Sequence, residues 1–322
     1  MEILERYRTE IVSALEAIVP EEGILRQLTG YPLGLVEAGG VWGPGIGGKL
    51  LRPSLVCFAC EALAGDLQEA LPLAAAIELV HTFSLVHDDI VDGDRVRRGR
   101  PTAWVVLGEH QAIHAGDGLL ALAFHTAAQA EILGGGAACA VASLAAATVA
   151  MVEGQARDLD LEGRHAGTEL YLEMARGKTG ALLGSALELG AIAARRPDLA
   201  RAHRGVGELL GVAFQVRDDW LGLWGEPSEF GKEVGADLVR GKRSFPIAWA
   251  LERDPSFATM LQEGSLDEAR ARLAKLGADE ATAEQSDRLL AEAEERAREL
   301  PWPNGARAAF GDLCRGLATR VK

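Results

Sequence analysis

A chain of 322 residues with 48% hydrophobic side chains can bury a sizeable core, and a net charge of −14 excludes nucleic acid or an anionic membrane surface as its main partner. Four cysteines at this length make no disulfide framework, and Met1-Glu-Ile-Leu-Glu-Arg6 carries no signal-peptide pattern, so a cytoplasmic protein is expected. Length alone suggests about two domains, but no Gly/Pro/Ser linker divides the chain. Ala and Leu dominate over β-branched and aromatic residues, and helical patterning continues almost throughout, which predicts one all-α domain over residues 1–322.

Residues 2–20 place apolar and charged positions at helical spacing and stop at Pro20. Residues 39–48 hold Gly at six of ten positions, a loop that leads into Lys49-Leu-Leu-Arg52-Pro53, where Pro53 suits the first turn of the next helix. Taken alone, Lys49 and Arg52 are an exposed basic pair. Cys57 and Cys60 have C-x-x-C spacing without a second pair or a strand context, and read as two buried thiols on a helix.

An apolar helical run starts near Pro72 and ends in Leu85-Val-His-Asp-Asp-Ile-Val-Asp-Gly-Asp-Arg-Val-Arg-Arg-Gly-Arg-Pro-Thr102. Asp88 and Asp92 are four apart and share one helix face, where two like charges repel by a few tenths of a kcal/mol. Local stability gives no reason for them. Hard carboxylate oxygens at that spacing suit Mg²⁺, which takes one or two protein carboxylates plus phosphate oxygens. Arg97 and Arg98 follow, with the forked donors that fit phosphate. The pattern points to a metal–diphosphate site. His81 lies about 10 Å before Asp88 on the same face; a lone helix histidine is more often structural.

Further helices are predicted at about 110–131, 137–157, 168–190, 199–222, 244–252 and 284–299. Ile132 to Val152 is uncharged and long enough to span a bilayer, but its Ala, Ser and Thr content places it at the crowded centre of a bundle, as core. A second aspartate pair, Asp218 and Asp219, ends an apolar helical run in Phe214-Gln-Val-Arg-Asp-Asp-Trp-Leu-Gly-Leu-Trp-Gly225. Gly231-Lys232 and Gly241-Lys242 then flank Asp237 in a polar loop. Residues 266–299 read as a solvated helical outer layer, and the basic C-terminus as a frayed end.

From about Gly47 to Pro246 the chain resembles the trans-isoprenyl diphosphate synthases, or polyprenyl synthetases, closest to the short-chain geranylgeranyl and farnesyl members. That resemblance implies an isoprenoid-synthase helical bundle around a deep central cavity, a homodimer, and head-to-tail prenyl transfer. An allylic diphosphate ionises, the double bond of isopentenyl diphosphate attacks the cation, and a proton is lost, the departed pyrophosphate taking it. The implied cofactor is Mg²⁺, three ions per site, with Mn²⁺ as alternative, at the motifs of Asp88, Asp89, Asp92, Asp218 and Asp219. Asp88, Asp92 and Asp218 would be direct ligands, with Asp89 further back. Lys49, Arg52, His81 and Arg98 would bind isopentenyl diphosphate. Arg97, Lys178, Thr179, Lys232 and Lys242 would hold the allylic diphosphate, Phe214 and Gln215 would border the cation, and Gly154-Gln155-Ala-Arg-Asp158 would face the metal site. Two lysines around Asp237 would form a lid that excludes water from the carbocation.

The growing chain is expected to run beside the helix preceding Asp88. Ser84 lies about 40° off the Asp88 face and Val80 a turn lower. A bulky residue such as Phe83 five before Asp88 resembles synthases stopping near C20. Two positions depart from the family pattern: Gly222 replaces a third aspartate in the second motif, and Trp104 stands where many relatives have histidine. Asp218, Gly222 and Glu226 partly resemble the second metal motif of terpene cyclases, which need no second anion site; the set Lys49, Arg52, His81 and Arg98 favours the synthase. A non-catalytic partner subunit of a heteromeric synthase would have lost more of the acidic and basic positions.

Overall fold

The computed structural model describes residues 2–43, 45–130, 132, 135–164, 166–225, 241–263 and 265–319. Glu226, Lys232, Asp237 and the final Arg320-Val-Lys322 lie outside the described residues. The chain divides into two compact units, residues 1–146 with 185–203, and residues 147–184 with 204–322.

In the first unit, α1 (Glu2–Arg6), α2 (Arg8–Ile18), α3 (Ile24–Leu33) and α4 (Leu51–Ala62) precede the long α5 (Leu67–Asp92), followed by α6 (Ala103–Leu107), α7 (Glu109–Ala128) and the start of α8 (Gly136–Leu161). α5 packs against α4 and α7 and is buried on most sides, with Ala74, Ala75, Ala76, Ile77 and Leu79 fully enclosed. It begins at Leu67, earlier than predicted, because the Asp66 carboxylate accepts from the Gln68 N–H at 2.9 Å and caps it; Pro72 sits inside the helix. α7 can approach because Gly116 has no side chain: a Cβ there would fall on the His87 ring.

α5 stops at Gly93, in the left-handed conformation with φ 67°. The one sheet among the described residues follows, an antiparallel hairpin of Val96–Arg97 and Arg100–Pro101. Its turn residues, Arg98 and Gly99, both have positive φ, 53° and 75°, as the primed turns of two-residue hairpins require. The other regular elements among the described residues are helices, as expected.

α8 corrects one expectation. In its most apolar window only 33% is buried, against 72% for α5; both helices are long and apolar enough to cross a membrane by length and composition. Ala140, Leu144, Ala147 and Met151 line a buried face, while Val149 and Val152 are exposed. The small residues therefore serve one packed stripe and leave an apolar stripe uncovered.

The second unit holds the rest of α8, α9 (Thr168–Ala175), a π-helical turn (Arg176–Gly180), the start of α10 (Ala181–Ala193) and α11 (Ala200–Trp224) from Arg204 onward. Helices Phe245–Arg253, Phe257–Glu263, Leu266–Lys275, Ala278–Glu299 and Asn304–Ala318 complete it. The predicted single helix 168–190 is thus interrupted by the π turn. Two glycine pairs let backbones touch: a Cβ on Gly154 would lie 2.6 Å from the Gly177 carbonyl carbon, and one on Gly211 2.6 Å from the Gly180 Cα. The 266–299 segment breaks at Gly277, φ 72°, and buries Ala269, Leu273, Leu290 and Ala293. It is half core, and not only a solvated layer. A helix that the sequence reading did not predict, Asn304–Ala318, buries Phe310, Leu313 and Leu317 ahead of the expected frayed end.

Candidate active site

The predicted site residues fall into two clusters, one within each unit. In the first, Asp88 and Asp92 stand half-exposed on the last two turns of α5, one above the other. Between them Asp89 is buried and accepts from Arg97 through Nε at 2.7 Å and a terminal nitrogen at 2.7 Å. Asp89 and Arg97 thus neutralise each other and brace the hairpin against the end of α5.

The hairpin turn aims Arg98 at the glycine loop. Its Nη1 donates to the Gly47 carbonyl at 3.0 Å, and a Cβ on Gly48 (φ 92°) would fall on its guanidinium. Glycine is needed there for both the backbone angle and the space. Arg8 holds the same loop from α2, donating to the Ile46 and Gly48 carbonyls at 2.7 and 2.9 Å. Lys49 and Arg52 follow directly, with Lys49 exposed and Arg52 half-buried at the start of α4.

Burial, then the charges of Arg52, Arg98 and Arg97, hold His81 well below the ordinary histidine range, so it is neutral at pH 7. A neutral imidazole among arginines adds a hydrogen-bonding group to a basic cluster without more charge. Trp104 donates from Nε1 to the Asp94 carbonyl at 2.7 Å and carries Arg95 over its ring, so it ties down the hairpin base. Of the chain-length candidates, Val80 is fully buried, Phe83 nearly so with its ring edge-on to His87 at 5.2 Å, and Ser84 half-buried with its hydroxyl bonded to the His81 carbonyl at 2.8 Å. Cys57 and Cys60 are the buried thiols expected, Cys60 pushed up to about 12 chiefly by burial.

In the second cluster the π turn presents Lys178 and Thr179 side by side. Lys178 Nζ pairs with Asp158 at 2.5 Å, which joins two of the predicted signatures. Thr179 donates to Gln215 at 2.7 Å, Gln215 donates to Asp219 at 3.0 Å, and Asp219 also accepts from the Phe245 N–H at 2.8 Å. This chain of bonds fixes the second aspartate motif against the start of helix Phe245–Arg253. Asp219 is consumed in it and buried, whereas Asp218 is half-exposed. Phe214 is half-buried one residue before Gln215, and Lys242 is half-buried ahead of Arg243, which donates to the Arg164 carbonyl at 2.6 Å. Gly222 is buried in the last turn of α11.

Tyr171 was not foreseen. Its phenol is held well above the ordinary range by burial and then by Asp219, with Asp158 and Asp218 adding, so it stays protonated beside the motif. Nothing in the sequence beyond tyrosine's rarity marks it. Glu78 was also missed, although a lone acid inside Ala74-Ala-Ala-Ile-Glu-Leu-Val80 is a legible signal.

Each aspartate motif therefore contains one buried carboxylate bonded to protein, with two half-exposed carboxylates beside it in the first motif and one in the second. Among the described residues no three acidic, histidine or cysteine side chains gather into a complete metal cage. Paired hard oxygens completed by phosphate oxygens and water are the donor set Mg²⁺ takes. In donor chemistry each motif fits the metal: Asp88 and Asp92 would hold it in the first unit and Asp218 in the second, with Asp89 and Asp219 bracing the motif they belong to.

Comparison with known proteins agrees. The polyprenyl synthetase family profile matches residues 44–276. The chain is 40% identical to a geranylgeranyl diphosphate synthase of Mycobacterium tuberculosis, over 87% of this chain and 80% of that one. It is 40% identical to a (2E,6E)-farnesyl diphosphate synthase of Mycobacterium bovis, over 70% of this chain but 63% of the relative, just under two thirds of its length. The fold is similar to a crystal structure of a polyprenyl synthetase from Streptomyces coelicolor A3(2), with TM-score 0.89 and 34% identity over 98% of each chain. With these matches added to the two aspartate motifs and the arginine cradled on its glycine loop, the chain belongs to the polyprenyl synthetase family of trans-prenyltransferases.

Proposed function

We propose that this trans-prenyltransferase condenses isopentenyl diphosphate with an allylic diphosphate in an Mg²⁺-dependent reaction, with geranylgeranyl diphosphate (C20) as product and farnesyl diphosphate (C15) as the second reading. The observation that carries it is the basic cluster of Lys49, Arg52 and Arg98 with neutral His81, built on a glycine loop beside the aspartate helix. A cyclase, with one diphosphate to bind, has no use for it.

Lys49, Arg52 and Arg98 bind and orient the diphosphate of isopentenyl diphosphate, which supplies the proximity term. Lys178 and Thr179 receive the allylic diphosphate, Lys178 exchanging its partner Asp158 for the more highly charged phosphate oxygens. Lys232 and Lys242 add donors to the same leaving group. Asp88, Asp92 and Asp218 would hold Mg²⁺, which would supply Lewis-acid stabilisation of the leaving pyrophosphate. Phe214 presents an aromatic face to the cation, and Gln215 is oriented for that border by Thr179 and Asp219.

Purified protein incubated with Mg²⁺, labelled isopentenyl diphosphate and each allylic primer should extend the primer to one polyprenyl diphosphate, and chelation should abolish the extension. Metal-dependent pyrophosphate release without extension would favour a cyclase, and silence in both assays a non-catalytic partner subunit. In the same assay Phe83→Ala should lengthen the product; an unchanged product would remove Phe83 as the determinant of chain length.

A second copy of this chain is the proposed partner of the uncovered stripe on α8, where Val149 and Val152 are 68% and 52% exposed. Sedimentation equilibrium should return a dimer, and a monomer would overturn that assignment.

A further inference from the structure

Between Glu69 and Asp88, α5 carries a single acid, Glu78, three residues before His81. It is 5% exposed, and among the described residues its carboxyl makes no hydrogen bond or ion pair. The other buried acids of the site are all engaged: Asp89 with Arg97, Asp158 with Lys178, Asp219 with Gln215 and the Phe245 N–H. A carboxyl this enclosed resists ionisation unless positive charge stands near it.

The charges that reach it are those of the basic cluster, Arg52 from α4 and Arg98 from the hairpin turn. The buried faces of α2, α6 and α7 carry no acid, base or histidine. On α4 the thiols of Cys57 and Cys60 are kept protonated by burial, and so is the Tyr31 phenol on α3. On α5 itself His81 is neutral and Asp89 is paired with Arg97.

Resting on the reading of this cluster as the seat of isopentenyl diphosphate, we propose that Glu78 is its counter-charge. It is a positioning residue that is neutral while the guanidiniums of Arg52 and Arg98 hold the diphosphate, and its ionisation draws them back and weakens co-substrate binding. Burial pushes the carboxyl up to about 7, against the pull of Arg52 and Arg98, so the transition falls in the neutral range. Below that pH the acid keeps its proton and the cluster offers its full positive charge. Above it the proton goes to solvent, and the carboxylate and the diphosphate compete for the same arginines.

The test is steady-state kinetics of wild type, Glu78→Gln and the apolar near-isostere Glu78→Met between pH 5.5 and 8.5, with circular dichroism to establish folding. The wild-type to variant ratio of KM for isopentenyl diphosphate should be flat below pH 6 and rise about tenfold by pH 8.5, the effect of one pKa unit of coupling. The ratios of KM for the allylic primer and of kcat should not change with pH. Taking ratios cancels the titration of the diphosphate itself. A flat ratio, or both KM values moving together, would overturn the inference, and if one variant fails to fold the other decides. Absence of prenyl transfer in the wild type would overturn the reading of the cluster and this inference with it, whereas transfer with a flat ratio overturns this inference alone.

Discussion

Asp88→Asn should lower kcat for prenyl transfer by about 10³-fold, the scale on which loss of one group that stabilises developing charge is felt. The variant keeps the size and helical position of the side chain but replaces one hard anionic oxygen with an amide. α5 is held by its apolar contacts with α4 and α7 and by the Asp89–Arg97 bonds, none of which involves Asp88. Circular dichroism should therefore show the wild-type helical fold, and KM for isopentenyl diphosphate should change little, since Lys49, Arg52, His81 and Arg98 are untouched. Asp89→Asn should behave differently. It frees Arg97 and loosens the hairpin, so stability falls along with activity. If activity survived Asp88→Asn in full, the chain would not be using this motif for catalysis, and the non-catalytic subunit would become the better reading.

Gly154→Ala should be the most damaging single-methyl change in the second unit. The added carbon would fall on the backbone of Gly177 and Lys178, which cannot rotate away as a side chain could. Helix and π turn must separate, and overpacking of this kind costs about 3 kcal/mol or more. The same separation would move Lys178 from Asp158 and Thr179 from Gln215, so the KM for the allylic substrate should rise several-fold in whatever fraction remains folded. Chemical denaturation measures the first effect and steady-state kinetics the second. A variant as stable as wild type would show that the crossing of α8 over the π turn is looser than these contacts imply.

The chemistry-bearing residues were legible because each motif is a local pattern of charge within an apolar helical run. Asp88 and Asp92 needed only the helical period to be placed on one face. What the spacing did not reveal is which aspartate of each pair turns inward. Asp89 and Asp219 look like their neighbours in the sequence, and only the positions of Arg97 and of the Phe245 N–H separate them. The start of α5 was misplaced because Pro72 is the louder signal and the Asp66 cap the quieter one. The hairpin was missed because its strands are two residues long and its turn carries Arg98 where glycine or asparagine is usual. α8 was read as core because hydropathy registers small apolar residues but not whether anything covers them. The C-terminal helix Asn304–Ala318 was not predicted, although Phe310, Leu313 and Leu317 already share one face.

The π turn at Arg176–Gly180 has a consequence for sequence change along this chain. A π turn holds one residue more than a regular helix accommodates, so it advances everything beyond it by about 100° and about 1.5 Å. Tyr171 and Met174 before the turn and Leu182 and Leu183 after it are all buried, yet no unbroken helix would aim both pairs into their present surroundings. Deleting one residue here would restore an ordinary helix and turn Leu182 and Leu183 by about 100° away from the neighbours they now pack against. The segment thus behaves as a spacer whose length is fixed to the single residue, so an insertion or deletion here is felt well beyond the residues it touches.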